Sequence, residues 1–81
     1  MTQLLASPAN PDGWSLEDVI EVLRGDMMRR SAHMVDDTRP EIRGLIANNV
    51  AIMEHLTQCL HKAQDSTRIL TKLGVDAYGR R

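Results

Sequence analysis

The strongest constraint on this chain is a repeating apolar pattern between Pro40 and Gly74. Mostly apolar residues recur there every seven positions, in three adjacent rows. On a helix with 3.6 residues per turn, such a repeat makes one wide apolar stripe and favours a left-handed supercoil with neighbouring helices. The rows are Ile42, Asn49, Leu56, Ala63 and Leu70; Leu45, Ile52, Cys59, Ser66 and Leu73; and Ile46, Met53, Leu60 and Thr67.

Residues that start and stop helices mark both ends of this pattern. Proline suits the first turn of a helix, and Thr38 with Glu41 has the spacing of a capping box. Gly74 suits the left-handed residue that follows a helix, with Val75 placed to contact Leu70 in a Schellman motif. The sequence therefore predicts a long helix 2 over about 40–73, roughly 50 Å in length.

A shorter amphipathic helix 1 is predicted over about 16–35. Ser15 is a good N-cap residue, with Asp18 three positions later. Pro40 disfavours helical geometry at the residue before it, so we expect a break near residues 36–40, with one helix kinked at Pro40 as the alternative. The apolar positions of helix 1 recur in steps of three and four, at Leu16, Val19, Ile20, Leu23, Met27 and Met34.

These elements predict an all-α helical hairpin domain at 15–74, preceded by a flexible arm at 1–14 and followed by a tail at 75–81. Helix 1 is too short to cover the stripe on helix 2. We therefore expect a homo-oligomer, most simply a homodimeric four-helix bundle with coiled-coil packing, in which Asn49 sets the register. The predicted oligomer interface is Ile42, Leu45, Ile46, Asn49, Ile52, Met53, Leu56, Leu60 and Leu70.

Size and charge narrow the class of protein. With 81 residues and a net charge of -1, the chain is too short for a doubly wound or barrel enzyme and too weakly charged to bind nucleic acid by bulk electrostatics. It has neither a membrane-length apolar run nor a signal peptide pattern, and its single cysteine fits a reducing compartment. We therefore expect a cytoplasmic protein that makes no membrane contact.

The sequence gives catalysis little support, and we expect a non-enzyme without a cofactor. Ser31, His33 and Asp36 are the residue types of a catalytic triad, but they lie within one helix end, where a pocket with oxyanion donors cannot form. His33, with acidic residues one turn later, is similar to the phosphoacceptor histidine in dimeric helical hairpins of phosphorelay proteins. A solvated histidine near a helix end is the favoured interpretation.

His55 and Cys59 are four residues apart, so both side chains can lie on one helix face and offer ligands for Zn²⁺ or Cu(I). The segment from His55 to Cys59 resembles the His-x3-Cys pair of the copper-sensing, all-helical repressor family. That family takes a further ligand from a second cysteine, and this chain has only one. We expect no metal site, and we interpret Cys59 as a small core residue.

The favoured function is that of a small non-catalytic protein-protein interaction or regulatory adaptor protein. Its partners would be a second copy of itself and another protein that binds an apolar helical face. The alternative is a nucleic-acid-binding regulator that uses the basic C-terminal end through Arg68 and Lys72, similar in architecture to plasmid Rop-type hairpins. The first interpretation depends on apolar residues away from the main stripe, namely Val22, Met28, Val35 and Ile69.

Overall fold

The computed structural model describes residues 4–76 and 80, and its regular structure consists of two helices. α1 spans Leu16–His33 and has 18 residues, whereas α2 spans Pro40–Leu73 and has 34. They pack against each other as an antiparallel hairpin, which confirms the predicted all-α fold. Only residues 75, 76 and 80 of the predicted tail are among those described.

The start of α1 follows the sequence signal closely. The Ser15 hydroxyl accepts a hydrogen bond from the backbone N–H of Asp18 at 3.1 Å, so the predicted N-cap is confirmed. Glu17 and Asp18 lie in the first turn, where carboxylates interact favourably with the positive end of the helix dipole. The helix ends at His33, two residues earlier than predicted.

A turn at residues 34–39 separates the two helices, so the alternative of one helix kinked at Pro40 is wrong. The capping box of Thr38 and Glu41 is also wrong, because Arg39 is the N-cap residue and makes no side-chain cap. Instead, Asp37 accepts the backbone N–H of Arg39 at 3.0 Å and pairs with its guanidinium at 2.7 Å. Hydrogen bonds from the Arg39 side chain lower the pKa of Asp37, and Asp37 in turn raises the pKa of Arg39.

The end of α2 has the predicted Schellman geometry. Gly74 has φ 70° and ψ 33°, in the left-handed region that favours glycine. Its N–H donates to the carbonyl of Thr71, and the N–H of Val75 donates to the carbonyl of Leu70, both at 3.1 Å. These two bonds satisfy carbonyls that the helix itself leaves without partners.

Residues 4–14 of the segment predicted as an arm fold back on themselves as a hydrogen-bonded loop. The N–H of Ala6 donates to the carbonyl of Trp14 at 2.8 Å, and the N–H of Trp14 donates to the carbonyl of Leu4 at 3.0 Å. The two sides of the loop approach so closely at Gly13 that a Cβ there would lie 2.6 Å from the backbone nitrogen of Ala6. Glycine is therefore required at this position. The flexibility of the arm at residues 1–14 stays a prediction.

The core of the hairpin is small. Among the described residues, the buried apolar side chains are Ile20, Leu60 and Ala63, with Leu56 packed beside them. The Cα atoms fill a slab of 54 × 27 × 15 Å, which is one layer of helices. Neither α1 nor α2 is long and apolar enough to cross a lipid bilayer. A single layer buries only the inner edges of its two helices, whereas stable domains usually pack at least two layers.

We predict that Gly44→Ala stabilises the protein by about 1 kcal/mol, because glycine is about that much less favourable than alanine inside a helix. No atom outside the backbone of α2 lies within 4 Å of the added methyl group. Gly74→Ala is the matched control, and it should destabilise the protein by about 1 kcal/mol because of its positive φ. Urea unfolding at a fixed protein concentration measures both changes, and a destabilising Gly44→Ala would contradict the open environment of that residue.

Candidate functional site

The apolar stripe of α2 divides into two parts in the structure. Two of its three rows face α1, and the third does not. We call this third row the open row. Leu45 and Ile52 of the open row expose 42% and 43% of their surface, and Leu73 exposes 63%. The open row consists of Leu45, Ile52, Cys59, Ser66 and Leu73, and all five residues are exposed.

The residues predicted as an oligomer interface therefore have three different environments. Asn49 and Leu60 are buried between the two helices of one chain. Leu45 and Ile52 belong to the open row and remain exposed. The other predicted residues are half-buried at the edges of the seam between α1 and α2, and they are Ile42, Ile46, Met53, Leu56 and Leu70.

Three side-chain hydrogen bonds cross the seam at regular intervals. Glu17, Arg24 and Ser31 are seven residues apart on α1, so they lie in one row. The Glu17 carboxylate accepts from the Thr67 hydroxyl at 2.9 Å, and the Arg24 guanidinium donates to the Thr57 hydroxyl at 2.9 Å. At the loop end, the amide NH₂ of Asn49 donates to the Ser31 hydroxyl at 3.2 Å. These bonds fix the register of α1 against α2.

Asn49 is the most buried polar side chain of this seam, with 7% of its surface exposed. Ser31 accepts from Asn49 and donates to the Met27 carbonyl at 3.0 Å, so its hydroxyl is used in both directions. Among the described residues, no buried side-chain nitrogen or oxygen lacks a partner. Asn49 thus sets the register of the two helices within one chain; the prediction that it sets the register of an oligomer is not tested by this contact.

One side of the hairpin, which we call the groove face, carries the open row on α2 together with Leu16 and Leu23 on α1. Leu16 and Leu23 are about half exposed. Two shallow, open depressions of about 650 and 460 Å³ lie along this face between the helices. The lining of the larger includes Leu16, Ile20, Leu56 and Ala63 together with the polar residues His55, Gln58, Lys62 and Ser66, and the smaller is lined by Met27, Arg30, His33, Met34, Leu45 and Asn49.

The opposite side, the back face, is more polar. It carries the bonds from Arg24 to Thr57 and from Glu17 to Thr67. Its exposed apolar residues are Met28, Val35 and Val50. Val50 and Ile52 each expose 43% of their surface, yet they are about 160° apart around α2 at 100° per residue. The two faces can therefore be compared with matched substitutions at these two positions.

The His55 and Cys59 pair lies on the groove face, where both residues line the larger depression together with Lys62. Cys59 is exposed, so it does not occupy the core of the hairpin that the sequence suggested. Over residues 4–76 and 80, no group of three or more His, Cys, Asp or Glu side chains could hold a metal ion. His33 is exposed at the last turn of α1 and lines the smaller depression.

Arg68 and Lys72, the candidate nucleic-acid contacts, are exposed on the last turns of α2. The Arg68 guanidinium forms an ion pair with the Asp65 carboxylate one turn earlier. That pair reduces the positive charge available to a phosphate group. The basic end therefore presents less charge than its residue count suggests.

Comparisons of the chain with protein-family models, with curated proteins and with solved structures give no match. The function therefore has to be inferred from the residues and their arrangement. The described surface that departs most from an ordinary helical surface is the groove face, because it combines an apolar row with two open depressions.

We predict that the Ser31 and Asn49 side chains are energetically coupled by about 1 kcal/mol, the usual net contribution of a hydrogen bond. Ser31→Ala and Asn49→Ala should each destabilise the hairpin, and the double variant should lose less than the sum of the two. A double-mutant cycle by urea unfolding measures this coupling. Additive effects would show that the bond at 3.2 Å does not stabilise the register.

Proposed function

We propose that this chain is a small non-catalytic protein-interaction or regulatory adaptor protein that works as a helical homo-oligomer. The observation that carries the proposal is the area exposed by the whole 81-residue chain. One chain exposes 6546 Å², whereas a compact monomer of 9.1 kDa exposes about 4,900 Å². The excess of about 1,600 Å² is about twice the roughly 800 Å² that each partner buries in a standard interface.

The chemistry of the groove face supports an interaction rather than a reaction. The larger depression is shallow and mainly apolar, and it presents leucine, isoleucine and alanine side chains from both helices. Contiguous apolar surface of this kind marks sites where proteins bind other proteins. Met27 and Met34 line the smaller depression, and methionine side chains adapt readily to the shape of a partner helix.

Two apolar faces would serve two different roles. The groove face spans both helices and suits self-association, because it can supply the second layer that a single hairpin lacks. The back face keeps Met28, Val35 and Val50 exposed for a different protein. A homodimer built through the groove face would present two copies of the back face, which is the arrangement an adaptor needs to bring two partners together.

The test is the solution mass of the purified chain, measured by light scattering over a hundredfold range of concentration, with helix content followed by circular dichroism. We expect about 18 kDa, twice the mass of one chain, together with high helix content. A helical species that stays at 9.1 kDa at every concentration would overturn the proposal of a homo-oligomer.

The salt dependence of binding distinguishes a nucleic-acid regulator that uses Arg68 and Lys72 from the adaptor protein proposed here. We expect no salt-sensitive change in the fluorescence anisotropy of labelled RNA or DNA, because the net charge of the chain is -1 and the Arg68 guanidinium is paired with Asp65. Binding that weakens with salt and is lost when both residues are changed to Ala would favour the nucleic-acid regulator instead. The variant Arg43→Ala, at the other end of α2, controls for a general loss of charge.

A further inference from the structure

Within the described part of one chain, no helix covers the open row. α2 has 34 residues and is about 51 Å long, whereas α1 has 18 residues and is about 27 Å long. The open row follows α2 from Leu45 to Leu73, a span of about 42 Å. Among the described elements, only α2 itself is long enough to cover it.

We propose that the occupant of the groove face is a second copy of this chain, placed so that α2 packs antiparallel on the partner's α2 across a two-fold axis perpendicular to the helices. This inference rests on the self-association in the proposed function and specifies its interface. Four of the five residues of each open row, Leu45 to Ser66, then face the open row of its own copy. In the other face-to-face arrangement, the two-fold axis runs along the helices. The short α1 would then pack on the partner's α2 and leave an end of that longer helix uncovered.

The seven-residue repeat fixes how two antiparallel copies of the open row can meet. The open rows of the two copies face each other only if each residue of one lies opposite a residue of the other. The pairing that retains nearly all of both helices places Ile52 opposite the partner's Cys59 and Leu45 opposite the partner's Ser66. The axis then passes close to His55 and Leu56, near the middle of α2. Small residues opposite large ones let two helices approach and interlock.

The axis is tested by the distance between two identical spin labels in the dimer, measured by pulsed electron paramagnetic resonance. The labels are placed at His55→Cys and, in a second protein, at Ile69→Cys, each combined with Cys59→Ser. Both positions are exposed and belong to one seven-residue row on the flank of α2, outside the open row.

We expect the His55 labels to lie within about 20 Å of each other and the Ile69 labels about 40 Å apart, because the helices run in opposite directions from the axis. Equal distances at the two positions would mean that the axis runs along the helices, and this inference would be wrong although the protein is a homodimer. A monomeric mass for the unlabelled chain would instead overturn the proposed function itself.

The face is tested by Ile52→Asp, with Val50→Asp as the matched control. Each residue exposes 43% of its surface in one chain, so neither change inserts a charge into the core of the hairpin. We expect Ile52→Asp to weaken dimerisation at least a hundredfold, because each dimer would bury two unpaired carboxylates, and Val50→Asp to leave the dissociation constant within about threefold. The reverse result would place the interface on the back face and refute the proposal.

Discussion

The long helix of this hairpin has no partner of its own length within the described part of the chain. An apolar stripe that runs along a 34-residue helix can be covered only by an element of similar length, and α1 has 18 residues. One neighbouring helix also covers only part of the width of the stripe, so the hairpin covers two rows and leaves the third exposed. The apolar area that remains on the groove face follows from these limits in length and width.

Polar contacts, rather than a large apolar core, fix the arrangement of the two helices. Three hydrogen bonds from one row of α1 cross the seam, and the buried core between them is limited to a few side chains around Leu60. Directional bonds specify register more sharply than apolar contacts do, because a shift of one turn would break all three. The register of the two helices is thus well specified, although the hairpin buries little apolar area. The proposed second copy of the chain would form a second layer and bury more of it.

Local signals in the sequence predict this structure best at two helix ends. Ser15 caps α1 and Gly74 ends α2, because both depend on the backbone within a few residues. The capping box at Thr38 failed for a related reason. Asp37, one residue earlier, competes for the same segment by accepting both the backbone N–H and the guanidinium of Arg39. Pairs of residues at cap spacing predict a cap only when no stronger local acceptor is present.

The two helices, the break between them and the width of the apolar stripe follow from the sequence, because helical periodicity and helix-ending residues act locally. Which rows of that stripe are used within one chain depends on tertiary contacts. Asn49 and Leu60 were predicted at an interface between chains, and they lie buried against α1, whereas Cys59 was expected in the core and is exposed. The rotation of α2 about its own axis separates these outcomes. That rotation is set by partners far apart in sequence, such as Glu17 with Thr67 and Arg24 with Thr57.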